Sequence, residues 1–386
     1  MVSREEGWAF LREEIQARLD TLRTKHRHRS LTPAPAPGDG MIDLTHNDYL
    51  GLRTDPDHRR RMRELMEELP SGSGGSRLLG GNHPVFARLE EAFATFRGSR
   101  AALYFSSGYQ ANEAIAAALS RHLTCFIADE ASHASIIDGQ HQSPLPRAKR
   151  LRFRHNDTAH LEEILRASTA RLNVIFVEGL HSMEGDFCPL SPMQELAEAH
   201  RGVLVVDEAH SLGCTGPGGR GMVDRHSRIL TVNPCGKALG SQGALIAGPE
   251  WLQEYLINTS RKFIYTTAPS PMTAAALLAG LELLPRLDER RHHLQTVATG
   301  LRTALQNAGF DTGLSDSHII PVIIGDEART LHMQRLLAQD GFLLQAVRPP
   351  TVPSGTARLR LSVNSGITSE VAGQLVTALV RARSLA

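Results

Sequence analysis

The stretch NVIFVEGLHSMEGDFCPLSPMQELAEAHRGVLVVDEAHSLG, residues 173–213, decides the fold class. It opens on a short apolar run, Asn173–Glu178, of strand length. A polar loop follows, then Pro192–His200 with a helix-like pattern, then a second apolar run, Val203–Asp207. Strand, helix and strand in this order predict an α/β domain with a mostly parallel sheet. In such sheets ligands gather at the carboxyl ends of strands. Polar clusters stand at those ends here: SSGYQ at 106–110, EGLHSMEGD at 178–186 and DEAH at 207–210.

The alternation extends outward. Ala101–Phe105, Thr124–Ala128, Ile229–Asn233 and Gly243–Ala247 read as further strands, and Ala111–Arg121 and Ala159–Ala167 as helices. After about residue 285 the texture changes. A helical stretch, Leu287–Ala308, precedes a strand at Ile319–Ile324, a helix at Glu327–Gln339, short strands at Phe342–Val347 and Ala357–Val363, and a terminal helix. This predicts a smaller α+β domain. Near the start, Trp8, Leu11, Ile15, Leu19 and Leu22 recur in steps of three and four, one helical stripe within residues 5–24. The basic TKHRHRS that follows is either a solvated helix end or a site for an acidic ligand group. TPAPAPGDG, Thr32–Gly40, is a Pro/Gly linker. The expected divisions are 1–40, helix and linker; 41–285, large domain; and 286–386, small domain.

Composition excludes several classes. With 42 Lys and Arg against 41 Asp and Glu, the 386-residue chain shows no charge bias towards nucleic acid. Its apolar runs are too short to span a bilayer. The opening MVSREEGWAF lacks a secretory apolar stretch, so a cytoplasmic protein is expected. Cys125, Cys188, Cys214 and Cys235 have neither disulfide-framework nor zinc spacing, and the 18 His show no HExxH, so no metal is expected.

A few residues carry chemistry. Lys237, in NPCGKALGSQGA between two strands, is either a solvated loop lysine or one packed among small residues. A lysine that loses hydration there also loses its proton, and a neutral amine can form a Schiff base with a carbonyl cofactor. Asp207, in VVDEAHSLG, either caps the next helix or faces a protonated ring nitrogen. An Asp paired with a Schiff-base Lys is the signature of pyridoxal phosphate. Gly108, in SSGYQAN, marks either an ordinary strand–helix turn or one whose helix-start N–H groups hold phosphate. His133, in ASHAS, is a surface or capping residue, or stacks on a flat ring.

Together these motifs resemble the α-oxoamine synthases, pyridoxal-phosphate enzymes of the aspartate-aminotransferase fold. The resemblance runs from HNDYLGL (46–52) to RLRLS (358–362) through GSGGSRLLGG, SSGYQAN, ASHAS, FRHND, EGLHSMEGD, DEAHSLG, GRGM, GKALG and RKFIYTT. It implies a fold type I transferase: a large domain with a mainly parallel seven-stranded sheet and a smaller C-terminal α+β domain. It further implies that Lys237 holds the cofactor, Asp207 pairs with its pyridine nitrogen, His133 stacks on the ring and meets substrate, and Ser182 and His210 hydrogen-bond the phenolic oxygen. Backbone at Gly108 and Tyr109 binds phosphate, with Thr266 or Thr267 reaching across a homodimer interface. Asn47 and Arg360 grip the amino-acid carboxylate, and Thr351 and Arg29 lie near the acyl substrate. The run RPPTVPSGTARLRLS (348–362) is most similar to members that join L-alanine to a pimeloyl thioester, on coenzyme A or a carrier protein. Sister members using glycine or serine, and a non-catalytic partner subunit, are the alternatives. One departure stands out: the family often has Thr three residues before the Lys, and here Pro234 has neither hydroxyl nor N–H. Asn233 or Thr231 is the expected substitute.

Overall fold

The computed structural model describes residues 4–31, 33–36, 38–120, 124–224 and 228–386. Thr32, Pro37 and Arg121, read from sequence as linker and helix end, lie outside them. The chain divides into two compact units: His46–Thr296 with Asn364–Ile367, and Met1–Thr45 with Val297–Val363 and Thr368–Ala386. In this division the N-terminal segment belongs with the smaller unit.

The smaller unit begins with α1 (Arg4–Thr24) and β1 (Ile42–Asp43). The larger unit then runs α2 (Pro56–Met66), α3 (Pro84–Arg97), β2 (Ala101–Phe105), α4 (Gly108–Leu119), β3 (Thr124–Asp129) and α5 (Ala134–His141). It continues with β4 (Arg150–Phe153), α6 (Thr158–Ala167), β5 (Leu172–Glu178), α7 (Leu190–Ala199), β6 (Gly202–Asp207), β7 (Leu230–Pro234) and β8 (Ala244–Gly248). Helices α8 (Glu250–Thr259), α9 (Arg261–Ile264) and α10 (Pro271–Leu283) follow, and α11 (Asp288–Asn307) carries the chain past the unit boundary.

Strands β2–β8 form one sheet in the order β2-β8-β7-β6-β5-β3-β4. Its pairings are parallel except those of β8, which is antiparallel to both β7 and β2. The sequence reading of a mainly parallel seven-stranded sheet therefore holds. Alternation along each strand splits the core in two. Phe126, Val174, Phe176, Val205 and Val232 pack on one face with Ala111, Ile115 and Ile136 of α4 and α5. Ile127, Ile175, Val177, Leu204 and Val206 pack on the other with Leu161 and Met193 of α6 and α7. Each such side chain, fully buried, contributes about 1.5–3 kcal/mol. The same alternation places Glu178 and Asp207, the last residues of β5 and β6, on the face covered by α4 and α5. They are register partners.

In the smaller unit, β9 (Ile319–Gly325), α12 (Glu327–Gln339), β10 (Phe342–Leu343), β11 (Gln345–Val347), β12 (Ala357–Ser362) and α13 (Ser369–Leu385) complete the chain. β11, β12 and β9 make an antiparallel sheet, and β1 pairs with β10 in parallel. The run 342–347, read as one strand, is two, parted at Leu344. α1 is the expected helix, but the first half of its apolar stripe is exposed, Trp8 by 74%, Leu11 by 47% and Ile15 by 52%, while Leu19 and Leu22 are half-buried. Among the described residues no helix is long and apolar enough to cross a membrane.

Candidate active site

The site of the larger unit is built at the carboxyl ends of β5, β6 and β7 and the first turn of α4. Asp207 is buried. One of its oxygens accepts from the Asn112 side-chain N–H at 2.7 Å, the other from the Ala209 N–H at 2.9 Å. A carboxylate offers about four acceptor positions, so Asp207 can still accept from a further donor. The second N–H of Asn112 goes to Ser135 Oγ at 2.9 Å, and Ser135 Oγ lies 2.8 Å from His133 Nδ1. Asn112 can only donate through that nitrogen, so it donates to both Asp207 and Ser135, while the Ser135–His133 contact takes its direction from the tautomer of the ring. Neither Asn112 nor Ser135 was singled out from sequence. Both lie inside the quoted motifs SSGYQAN and ASHAS, but an amide and a hydroxyl there carry no chemical signal until tertiary contacts join them.

His133 caps the start of α5, its Nδ1 accepting from the Ser135 N–H. The ring is accessible to solvent, with the Tyr109 ring edge-on at 6.3 Å. Partial dehydration and Lys237 lower its pKa, against the opposing pull of Asp207. Lys237, half-buried in the loop between β7 and β8, thus acts electrostatically on His133, and on Glu178 as well. Lys237 and Asp207 thus both lie within electrostatic reach of His133 and Glu178.

Glu178 is a residue that sequence reasoning passed over. It is buried, and its two oxygens accept from the His133 N–H at 2.7 Å and the Ser182 N–H at 3.1 Å. Burial, then the neighbouring Asp207, push its pKa up to about 8. Tyr49 is another. Fully buried, its hydroxyl lies 2.6 Å from His210 Nδ1 and 3.0 Å from Asn47 Oδ1, joining two predicted site residues.

Ser107 caps α4, its hydroxyl accepting from the Gln110 N–H at 3.1 Å. The N–H groups of Gly108 and Tyr109 open the helix, where intrahelical partners are lacking. Tyr109 donates its hydroxyl proton to Asp138, which pushes its pKa up to about 12. Gln110 Nε2 donates to the Lys262 carbonyl at 2.6 Å, tying this turn to α9. Thr266 and Thr267 follow α9, Thr266 half-buried and Thr267 exposed.

The expectation for Thr231 and Asn233 is corrected. Asn233 Nδ2 donates to Thr231 Oγ1 at 2.9 Å and to the Leu245 carbonyl at 3.0 Å. These side chains occupy the sheet face opposite α4, so neither replaces a hydroxyl near Gly108. Pro234 alternates to the α4 face and lies against Gly108.

Near this site, Asp129, His155 and His181 bring three ligand-type atoms within 4.8 Å of one another. His155 Nδ1 lies 3.0 Å from Asp129 and Nε2 2.9 Å from Asp186. With both nitrogens facing carboxylates, this is an ion-pair network, and it raises the His155 pKa to about 10. All four cysteines are buried free thiols.

In the smaller unit, Arg29 donates to Thr351 Oγ1 at 3.3 Å, so two predicted acyl-side residues meet. Arg27, from the basic segment, forms a two-pronged pair with Glu327. Arg358 and Arg360 share one face of β12, both buried, while Leu359 and Leu361 fill the other. Arg360 donates to Ser362 Oγ.

A family model described as aminotransferase class I and II matches residues 39–379. The chain belongs to this family. As a family member it is 40% identical to the 8-amino-7-oxononanoate synthase of Aromatoleum aromaticum, covering 95% of this chain and 96% of that one. It is 36% identical to that of Marinobacter nauticus, covering 93% of each. Among solved structures it is similar to a serine palmitoyltransferase from S. paucimobilis with bound PLP (TM-score 0.88, 29% identity, 96% and 97% covered). It is also similar to the 8-amino-7-oxononanoate synthase of Francisella tularensis (TM-score 0.76, 29% identity, 90% and 99% covered).

Proposed function

We propose that this chain is a pyridoxal-phosphate-dependent acyltransferase that condenses L-alanine with a pimeloyl thioester. The products are 8-amino-7-oxononanoate, carbon dioxide and free thiol, a step of biotin biosynthesis. One observation carries the reading: a buried Asp207, held by Asn112, stands with His133 and Lys237 at the sheet's carboxyl edge. The donor set fits the cofactor, since an amine, an anion with spare acceptor positions, a ring and a helix-start turn match its carbonyl, ring nitrogen, flat face and phosphate. The names borne by the sequence relatives support the alanine reaction.

Bound pyridoxal phosphate supplies an electron sink for the carbanion formed at the amino-acid Cα. Lys237 would anchor the cofactor, and its amine would serve as the general base for the Cα proton. Asp207 holds a proton on the ring nitrogen. His133 covers the ring face and meets substrate. Ser182 and His210 bind the phenolic oxygen. The Gly108–Tyr109 turn binds phosphate, helped by Thr266 or Thr267 of a second copy in a homodimer. Asn47 and Arg360 bind the alanine carboxylate, for which a planar guanidinium fork is suited. Arg29 and Thr351 bind the acyl side, and their mutual contact supports a shared task. The four buried thiols suit a reducing cytoplasm.

The serine palmitoyltransferase neighbours fit a sister reaction, in which serine and a long acyl thioester replace alanine and the pimeloyl group, but the sequence relatives support the alanine reaction more strongly. Thiol release over a matrix of alanine, glycine and serine against pimeloyl, acetyl, succinyl and palmitoyl thioesters separates them. The expected maximum is alanine with pimeloyl, on coenzyme A or carrier protein. A maximum elsewhere refutes the substrate assignment, and Lys237→Ala turning over normally refutes the mechanism.

A further inference from the structure

Glu178 and Asp207 end neighbouring parallel strands in register, and both are buried. Burial raises the proton affinity of Glu178, and the adjacent Asp207 carboxyl group raises it further. A glutamine would fill the same space without the carboxyl group. It could not make the same contacts, however. Each Glu178 oxygen accepts one backbone N–H, from His133 at 2.7 Å and from Ser182 at 3.1 Å. An amide has one acceptor oxygen, and its NH2 group would face the second N–H. The two amides belong to separate elements: His133 precedes α5, and Ser182 lies in the loop between β5 and α7. Glu178 is the rigid two-pronged link between them.

We propose that Glu178 is a positioning residue whose carboxyl group fixes the spacing between the His133 ring and the Ser182 hydroxyl, the pair that receives the cofactor ring. The inference rests on the pyridoxal-phosphate reading above. Glu178 touches neither cofactor nor substrate in this role. It acts through the backbone of the two residues that do.

The test uses the full-length protein loaded with pyridoxal phosphate, comparing Glu178→Gln and Glu178→Ala with the wild type. Visible circular dichroism per bound cofactor reports how asymmetrically the ring is held, and absorbance titration gives its Kd. Thermal unfolding and far-ultraviolet circular dichroism monitor the fold. With one bond lost, Glu178→Gln is expected to keep the fold, to halve the visible signal or more, and to raise the cofactor Kd about 10-fold. Glu178→Ala goes further in the same direction, and Glu178→Gln decides the matter if the alanine variant does not fold. A lowered melting temperature with unchanged visible signal and Kd overturns the inference, because that is what a purely structural role would give. A wild-type protein that takes up no pyridoxal phosphate overturns the cofactor reading and this inference together. A wild type that binds it, with variants that bind it identically, overturns the inference alone.

Discussion

Pro234 lies directly against Gly108. A Cβ built on Gly108 would sit 2.7 Å from Pro234 Cγ and 2.9 Å from its Cβ, closer than carbon atoms tolerate. The proline ring thus forms a wall of the turn that opens α4, and glycine is required because its neighbour is rigid. Gly108→Ala is expected to destabilise the protein by about 1–3 kcal/mol, the usual range for overpacking, and to weaken cofactor binding. Adding Pro234→Ala to the same chain should recover part of both losses. Thermal unfolding and cofactor titration of the two single variants and the double variant measure the coupling. Strictly additive effects would show that the two positions are independent.

Asn112 is the hinge of the polar chain from Asp207 to His133. Asn112→Asp would set a second carboxylate 2.7 Å from Asp207 in a buried site. Like charges there raise one of the two pKa values, so Asp207 no longer stands as a dedicated anion. The expected result is a loss of turnover of more than about 100-fold, with Asn112→Ala less severe at about 10-fold and about 1–3 kcal/mol of stability. Steady-state kinetics beside a chemical-denaturation curve checks both. Equal activity of the two variants would remove the electrostatic argument.

Lys237, Asp207 and His133 could be singled out because each is chemically unusual where it stands, while their roles, and the rest of the site, came from the family resemblance. A Lys among glycines, an Asp ending an apolar strand and a His before a helix each break a local pattern, and so can be read. The supporting residues break none. Asn112, Ser135 and Tyr49 are ordinary members of a helix, a helix start and a loop, and their role exists only through contacts with distant segments. Glu178 ends its strand as Asp207 does, so one signal, a carboxylate after an apolar run, was available for both. β4 went unread because RLRF alternates Arg with apolar residues and is only four residues long. For α1 the periodicity identified the helix and its apolar stripe, since spacing follows from backbone geometry. What covers a stripe depends on other elements or other chains, and Trp8 and Ile15 are exposed on this one.

The His155 network gives stability a defined pH dependence. Its folded pKa, about 10, lies above the ordinary value of 6.5, so its contribution is fully present below about pH 6.5 and fades as pH rises through 10. Asp129 and Asp186 are shifted the other way by His155, so their contribution is present above the usual carboxylate range and fades in acid. The network is therefore strongest from mildly acidic to neutral pH. His155→Gln should cost about 3 kcal/mol at pH 6–7, as expected when one partner of a buried ion pair is removed. The difference from wild type should shrink steadily as pH rises from about 6.5 to 10. Urea unfolding of both proteins across this range tests it, and a gap independent of pH would contradict the assignment of charge to His155.

Tyr49 holds His210 from behind. Its hydroxyl is 2.6 Å from Nδ1, and its ring is sealed in the core. Because the two ring nitrogens of a histidine share one proton when neutral, the partner at Nδ1 decides what Nε2 can do. Tyr49→Phe keeps the buried ring and deletes only the hydroxyl, so the expected stability loss is small, about 1 kcal/mol. Turnover should fall further, about 10-fold, because His210 loses the group that orients it and selects its tautomer. Asn47, which shares the same hydroxyl at 3.0 Å, loses a contact too, so the KM for alanine should rise with the fall in kcat. Tyr49→Phe is therefore expected to separate activity from stability. A variant that loses stability and keeps both kinetic constants would place Tyr49 in the core alone.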